Sequence, residues 1–421
     1  MAHGGHCVAR HEGRVVFVRH ALPGEVVLAR VTEDGEEKRY WRADAVEVLV
    51  ASPDRVARRC PVAGPGGCGG CDWQHATPAA QRGLKAAVVA EQLSRLAGVE
   101  PPGPGEFAVE PVPGDEGGLG WRTRVRFSVD GQARLGFRRH RSHDVVPTPE
   151  GCPIAHPRVN ELGLPRRPWR RLAGVEVVAP AAGADRLLIV EPAADARVGS
   201  ADLPPVDGPT SVARRAADGL HRVSGRSWVE EAVLVDGRRH AFRVTGSGFW
   251  QGHPGAAQVL LDAVLAASDA GAGECALDLY CGVGLFSAGL SARVGPSGLV
   301  VAVEADRRAA ADARRNLYDT PQVRIENGRV ERVLPRLQDL LGGRSVDVVV
   351  LDPPRSGAGR AVMERILAER PRAVVYVTCD PAALARDVAV AAGSGYRLAS
   401  LRAFDAFPMT HHVECVATLR P

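Results

Sequence analysis

The sequence predicts an α/β protein. A C-terminal doubly wound, Rossmann-like sheet follows an N-terminal β-barrel of the oligonucleotide-binding (OB-like) type and a central α+β region. Three observations predict this. From about residue 240, apolar runs of strand length at 276–280, 299–304, 346–351 and 373–377 alternate with helix-like stretches such as 307–317 and 382–392. That alternation marks a parallel sheet buried on both faces. In residues 1–52, short β-branched runs at 15–18, 25–31 and 45–49 are punctuated by Leu22-Pro23-Gly24 and Glu33-Asp34-Gly35. Such spacing suits a small five-stranded barrel. Between the two lie a Cys- and Gly-rich loop, a helix over 78–96, a Pro/Gly-rich linker over 99–118 and a series of short strands. The reading therefore divides the chain at 1–52, 53–235 and 236–421.

The 421 residues are enough for two or three domains with a sizeable core. Residues 1–13 are polar, without the apolar centre of a secretion signal. No stretch approaches the roughly 20 apolar residues of a membrane span. A cytoplasmic protein with no membrane partner is expected. The net charge of +4 is weak evidence for a nucleic-acid partner. Lys38 and Lys85 are the only lysines among 53 basic residues. Arginine forks onto phosphates and stacks on bases, although a GC-rich genome would give the same bias. The nine cysteines are an odd number, which favours metal binding or catalysis over disulfides.

The first strand of the C-terminal region runs into Asp278-Leu-Tyr280-Cys-Gly282-Val-Gly284-Leu-Phe-Ser287. Glycines after a strand let a ligand approach the backbone. The next strand ends at Glu304, whose carboxylate can accept hydrogen bonds from ribose hydroxyls. These features alone fit either a nicotinamide cofactor or S-adenosylmethionine. Ser287 stands where a pyrophosphate-binding loop has its third glycine, and Asp352-Pro353-Pro354-Arg355 ends a later strand in a stiff loop. Both favour S-adenosylmethionine.

A fourth strand runs into Thr378-Cys379-Asp380-Pro381. Asp380 is a good helix N-cap and Pro381 suits the first helical position. Cys379 thus precedes a helix N-terminus, where the dipole would lower a thiol pKa. The competing reading is a structural core cysteine. Near the C-terminus, Val413, Cys415, Ala417 and Leu419 alternate as the core face of a strand. Glu414 and His412 share the opposite face, where Glu414 is either functional or a solvated edge residue.

Cys60-x7-Cys68-x2-Cys71, with Cys152 further on, supplies four soft thiols. The spacing leaves an iron–sulfur cluster, zinc and no ligand all open. Arg122, Arg124 and Arg126 alternate onto one strand face, and Arg138 and Arg139 follow shortly after. Together they form either a phosphate-binding surface or a solvated polar face.

These motifs taken together resemble the uracil-5 (5-methyluridine) RNA methyltransferase family, in its iron–sulfur-containing branch with an N-terminal TRAM domain. Val-Thr-Cys379-Asp-Pro-Ala-Ala-Leu-Ala-Arg-Asp looks like the family's nucleophile motif. Phe407-Pro-Met-Thr-His-His-Val-Glu414 looks like its general-base motif, and Gly-Phe-Trp-Gln251 like a cofactor segment. Ala21-Leu-Pro-Gly-Glu25 and Tyr40-Trp-Arg-Ala43 look like the TRAM barrel. The resemblance implies a Rossmann-like methyltransferase domain that transfers a methyl group from S-adenosyl-L-methionine to carbon 5 of a uridine. Cys379 would be the nucleophile and Glu414 the base. Gln251, Tyr280, Glu304, Asn327 and Asp352 would bind the cofactor. Cys60, Cys68, Cys71 and Cys152 would hold a 4Fe-4S cluster in preference to zinc. The RNA partner would be ribosomal rather than transfer RNA, and the enzyme a monomer. The alternatives are a methyltransferase for another base or atom and a non-catalytic RNA-binding protein. The Cys379/Glu414 pair argues against the first and the intact cofactor loop against the second.

Overall fold

The computed structural model describes all residues except 36–38, 104, 195, 197, 200, 201 and 207. Strands β1 (Cys7–His11), β2 (Arg14–Arg19), β3 (Val26–Glu33) and β4 (Tyr40–Val50) form a sheet in the order β1-β2-β4-β3. Its core is small: Cys7, Val16, Val18, Ala21, Ala43 and Ala45. Four strands stand where five were expected among the described residues. The 11-residue β4 pairs with β2 through Tyr40–Asp44 and with β3 along most of its length. Three register shifts in the β3–β4 pairing allow that, because bulges bend and twist a ribbon.

Helix α1 (Pro78–Ala97) begins at a Thr77 side-chain cap with Pro78 in its first turn, and ends at left-handed Gly98. The short β5 (Val109–Pro111) follows. A seven-stranded sheet then forms from β6 (Arg124–Val129), β7 (Leu135–Arg138) and β8 (Val145–Pro147), and, after the single-turn α2 (Pro157–Asn160), from β9 (Leu172–Val178), β10 (Arg186–Pro192), β11 (Thr210–Ala216) and β12 (Gly219–Ser224). Its order is β12-β11-β10-β9-β6-β7-β8. Strands β13 (Trp228–Val235) and β14 (Arg238–Thr245) make a separate hairpin.

The C-terminal region continues with α3 (Ala256–Ser268), β15 (Cys275–Leu279), α4 (Leu285–Val294), β16 (Leu299–Glu304), α5 (Arg307–Asn316), β17 (Val323–Asn327), the short α6 (Val330–Val333) and α7 (Leu337–Leu341), and β18 (Val348–Leu351). It ends with α8 (Arg360–Ala368), β19 (Ala373–Thr378), α9 (Pro381–Gly393), β20 (Arg397–Asp405) and β21 (Glu414–Arg420). The sheet order is β17-β16-β15-β18-β19-β21-β20-β5, parallel from β17 to β19, with β21 antiparallel. Alternate residues of each strand feed two cores. Leu277, Val349 and Val374 face one; Ala276, Val348 and Val375 face the other.

The divisions read from the sequence cut through units that the chain joins. Within 53–235, α1 packs along α9, and β5 pairs with β20 at the edge of the catalytic sheet. Ala86, Val89, Leu93 and Val109 share a core with Leu277 and Val374. The apolar stripe of α1 has its partner there, and β5 covers a strand edge that would otherwise be open. The break at 235 falls in the turn of the β13–β14 hairpin, whose strands pair along their whole length. No helix among the described residues is long and apolar enough to cross a membrane.

Candidate active site

Four of the predicted cofactor residues fall in a row at the carboxyl edge of the sheet. Glu304 is paired with Asn327, while Leu279 stands opposite both Val303 and Leu351. Asn327, Glu304, Tyr280 and Asp352 therefore sit side by side on or just past the ends of β17, β16, β15 and β18. The chain leaves β15 in one direction to reach β16 and β17 and in the other to reach β18 and β19. Tyr280 and Asp352 flank that switch point, where open α/β sheets bind ligands. Gln251 is not part of the row. It is buried in the turn between β14 and α3, a turn tied to the central region by the Thr123 N–H, which donates to Gly252 O at 2.9 Å.

The glycine turn is built around Glu304. Gly282 N–H donates to Glu304 Oε2 at 2.9 Å, and Asp306 N–H to Oε1 at 2.6 Å. Asn327 Nδ2 donates to the Glu304 and Ala305 carbonyls at 2.8 and 3.2 Å, bracing the same loop. Tyr280 takes a left-handed backbone, φ 66°, uncommon for a bulky residue. At Gly284 a Cβ would meet Leu317 Cδ1 at 2.8 Å, so only glycine fits without a shift. Ser287 donates through Oγ to Asp278 Oδ2 at 2.5 Å. Asp278 Oδ1 is buried with no hydrogen-bond partner among the described residues. Burial pushes Asp278 up to about 7, and burial together with Asp278 does the same to Asp352. An orphaned acceptor beside an edge carboxylate fits a ligand that brings hydroxyl donors and a positive sulfonium, as S-adenosylmethionine does.

Cys379 and Glu414 come together across two antiparallel strands. Thr378 of β19 is paired with Cys415 of β21, so the residue after Thr378 stands beside the residue before Cys415. The Asp380 side chain caps α9 by accepting from Ala383 N–H at 2.8 Å. Cys379 lines a cavity of about 140 Å³ with Lys85, Arg355, His411 and His412.

The expected lowering of its pKa is overturned. Burial first, then the Glu414 carboxyl, pushes the Cys379 thiol up to about 11. Arg355 opposes this by its charge and a hydrogen bond. A helix terminus is a local, partial charge, and here a desolvated thiolate near two carboxyls outweighs it. Glu414 is not a solvated edge residue. β21 lies between β19 and β20, and Glu414 is 4% exposed. Burial and then Asp352 push its carboxyl well above the usual range.

The loop that delivers Glu414 is held from outside the sheet. Asp72 and Trp73 N–H groups donate to Met409 O at 2.9 and 3.0 Å, and Met409 N–H donates to Gln81 Oε1 at 2.8 Å. Asp72 Oδ2 pairs with His411 Nδ1 at 2.6 Å. Lys85 Nζ donates to Phe407 O at 3.0 Å. Sequence reasoning missed Asp72, Gln81, Lys85, Asp278 and Arg355. Arg355 had a signal, since it ends the Asp-Pro-Pro-Arg run. Lys85 had a fainter one, as a charge on the buried face of an amphipathic helix.

Cys60, Cys68, Cys71 and Cys152 all line one cavity of about 30 Å³. Burial raises the Cys68, Cys71 and Cys152 thiols. As the side chains stand, no group of three or more His, Cys, Asp or Glu among the described residues could hold a metal ion. The fit to a cluster is therefore in the donor set, four thiols around one cavity, and not in ligating distances.

Arg124 and Arg126 alternate on β6 as expected, whereas Arg122 lies just before the strand in a bridge to Ala155, and all three are engaged. Arg124 donates to the Gly246 and Gly248 carbonyls at 3.3 and 2.8 Å. Arg126 pairs with Glu191, and Arg122 donates to Arg124 O at 3.2 Å. Arg138 and Arg139 are exposed, and Arg139 lies 3.4 Å from Asp144. Arg122 and Arg124 line a groove of about 640 Å³ with Phe249, Arg355, His411 and His412. The last three also line the cavity at Cys379.

Comparison with known proteins decides the family. Residues 2–46 match the TRAM domain, and residues 211–420 match tRNA (uracil-5-)-methyltransferase. An uncharacterized RNA methyltransferase of Streptomyces avermitilis is 53% identical, over 100% of this chain and 96% of its own. The chain belongs to the tRNA (uracil-5-)-methyltransferase family. It is an S-adenosylmethionine-dependent RNA methyltransferase acting at carbon 5 of uracil. Another member, the 23S rRNA (uracil(1939)-C(5))-methyltransferase of Aeromonas hydrophila, is 33% identical over 98% of this chain and 93% of its own. The Pyrococcus abyssi tRNA (uracil-54, C5)-methyltransferase, solved with S-adenosyl-L-homocysteine, shares the fold. Its TM-score is 0.69 at 23% identity, covering 96% of this chain and 95% of that one.

Proposed function

We propose that this enzyme methylates a uridine of ribosomal RNA through a covalent adduct on Cys379, with Glu414 as the base. The observation that carries the reading is the β19–β21 register, which sets Glu414 beside Cys379 at the ligand-binding edge. Carbon 5 of uracil is a poor nucleophile. Attack of the Cys379 thiolate on carbon 6 forms an S–C bond and moves the ring electrons into an enolate, making carbon 5 nucleophilic. S-adenosylmethionine supplies an electrophilic methyl when bound, and Gln251, Tyr280, Glu304, Asn327 and Asp352 hold it. Carbon 5 would bond to that methyl as the sulfur–methyl bond breaks, leaving S-adenosylhomocysteine, and the Glu414 carboxylate then takes the proton from carbon 5. The electron pair re-forms the carbon 5–carbon 6 double bond and expels the Cys379 thiolate. Arg355, hydrogen-bonded to Cys379, favours the thiolate at both ends of the cycle. The base must leave its stack to reach a thiol in a cavity of this size.

Ribosomal RNA is favoured by the 33% identity with the 23S rRNA enzyme along nearly the whole chain. The same reading places the enzyme in the cytoplasm, with its substrate. In this reading it acts as a monomer. Cys60, Cys68, Cys71 and Cys152 hold a 4Fe-4S cluster; four thiolates suit iron–sulfur or zinc, and the single C-x2-C pair departs from the two close pairs usual in structural zinc. Its role is structural, since the reaction has no redox step.

The test is RNA containing 5-fluorouridine. Fluorine does not leave as a cation, so the adduct accumulates. A cofactor-dependent protein–RNA band that disappears in Cys379→Ala is expected. No band with 23S ribosomal RNA or transfer RNA would overturn the mechanism, and a band with transfer RNA alone would move the substrate.

A further inference from the structure

The loop that carries Arg355 is anchored from beneath. Residues 355–359 connect β18 to α8, and Arg355 is exposed. A long exposed side chain ordinarily keeps its rotamer freedom, so holding its guanidinium on one thiol needs a fixed backbone. Asp387 of α9 supplies the fixed point, and it is 4% exposed. Its Oδ2 accepts from Ala358 N–H at 2.8 Å and from Gly359 N–H at 3.3 Å. The Tyr376 hydroxyl, on β19, donates to the same oxygen at 2.6 Å and accepts from Ala358 N–H at 3.1 Å. Gly357 completes the fit: its φ is 89°, and a Cβ there would meet Asp387 Oδ2 at 2.8 Å.

A buried carboxylate is costly unless it is hydrogen-bonded, and an apolar pair would fill this core as well at less cost. The bonds that hold Asp387 end on the Arg355 loop or on the strand that runs into Cys379. Both pieces bear on the thiol. From the other side, His412 Nε2 lies 3.4 Å from Arg355 Nη2. Burial first, then His411 and Arg355, push His412 down to about 3, so its ring is neutral and able to accept. Arg355 is thus held at its backbone by Asp387 and at its guanidinium by His412.

We propose that Asp387 and Tyr376 are positioning residues for the nucleophile: together they fix the 355–359 loop so that the Arg355 guanidinium stays on the Cys379 thiol. Their role rests on the covalent mechanism given above. The charged groups that face Cys379 are Glu414 of β21, Asp352 and Arg355 after β18, Lys85 of α1 and Asp380, with the rings of His3, His411 and His412 beside them. Asp387 does not line that cavity. Direct loss of its negative charge would ease thiolate formation, whereas release of Arg355 hinders it, so the two effects have opposite signs.

The test is iodoacetamide labelling of Cys379 in the full chain between about pH 8 and pH 10, without RNA or cofactor, read by mass spectrometry. Asp387→Asn and Tyr376→Phe should each slow labelling severalfold, toward the rate of Arg355→Ala. Neither should slow it further when combined with Arg355→Ala, because the two changes act through one contact. Both should also lower kcat, by up to about a hundredfold, since a small displacement beside the reacting atoms is costly. Ile366→Val, a truncation in the core that Tyr376 shares, should lower the melting temperature and leave labelling unchanged. Labelling at the wild-type rate or faster in folded Asp387→Asn or Tyr376→Phe would overturn the assignment. So would an undiminished further loss in the Arg355→Ala background. If Asp387→Asn does not fold, Tyr376→Phe, which keeps its ring in the core, decides the matter. A failed fluorouridine trap beside these labelling results would sink the covalent chemistry and leave the anchoring of Arg355 standing. A working trap beside additive labelling would do the reverse.

Discussion

Lys85 Nζ lies 2.5 Å from Asp405 Oδ1, with both side chains buried, and this pair joins α1 to the end of β20. Lys85→Met strands a carboxyl in the interior. It should cost about 3–5 kcal/mol, read as a shift in the urea midpoint. Adding Asp405→Asn should recover part of that, giving a double variant less destabilised than the sum of the singles. Strict additivity would mean the two groups do not interact.

Cys379 should react slowly as a free thiol. With its pKa near 11, alkylation by iodoacetamide should rise about tenfold per pH unit between about pH 7 and pH 10. Arg355→Ala should slow it further, because the guanidinium favours the thiolate. Glu414→Gln should speed alkylation while reducing methyl transfer by about 10²–10⁴. Mass spectrometry of the Cys379 peptide measures the labelling. A rate flat across this range would mean the thiolate is already formed at neutral pH.

Asp278 predicts a pH dependence of stability. Its carboxyl is pushed up to about 7 in the folded chain, against about 3.9 unfolded. The native state therefore holds the proton longer. Its contribution is fully present below about pH 4 and is lost as pH rises through about 7. Asp278→Asn keeps the neutral form at every pH. Its melting temperature relative to wild type should climb by several degrees between about pH 5 and pH 8. A constant difference across that range would refute the assignment.

Asp72 should separate loop positioning from cluster binding. Asp72→Ala removes the carboxylate from His411 and should cost about 1–3 kcal/mol. Its kcat should fall while its iron content matches wild type. Anaerobically prepared wild type should be brown, with about four irons per chain, and Cys71→Ser should lose both iron and activity. Colourless wild-type protein loaded with zinc would refute the iron–sulfur assignment.

Much of the catalytic edge was legible because it depends on local rules. Strands buried on both faces read as apolar runs, and their ends mark where Tyr280, Glu304, Asp352 and Cys379 fall. Asp380-Pro381 announced the helix after Cys379 by capping chemistry alone. What escaped depends on residues far apart in the chain. The pKa of Cys379 is set by burial and by Glu414 on another strand, neither visible from its own neighbours. Alternation placed Arg124 on the right face but could not say that the 246–248 turn lies opposite and engages it. Nothing in the pattern of 78–111 says that its helix and strand belong to a sheet whose other members begin at residue 275.

That placement of β5 has a consequence for synthesis. Arg402 binds Glu110 across 292 residues of chain, beside the strand pairing that closes the sheet edge. α1 and β5 leave the ribosome long before β20 exists, so their apolar stripe waits uncovered until nearly the last residue is made. A fragment beginning at 236 would meet the converse problem, a finished sheet with a bare β20 edge prone to pairing with other copies. The catalytic sheet is thus closed only when β20 meets a strand made far earlier, and removing the residues before 236 should leave that edge open.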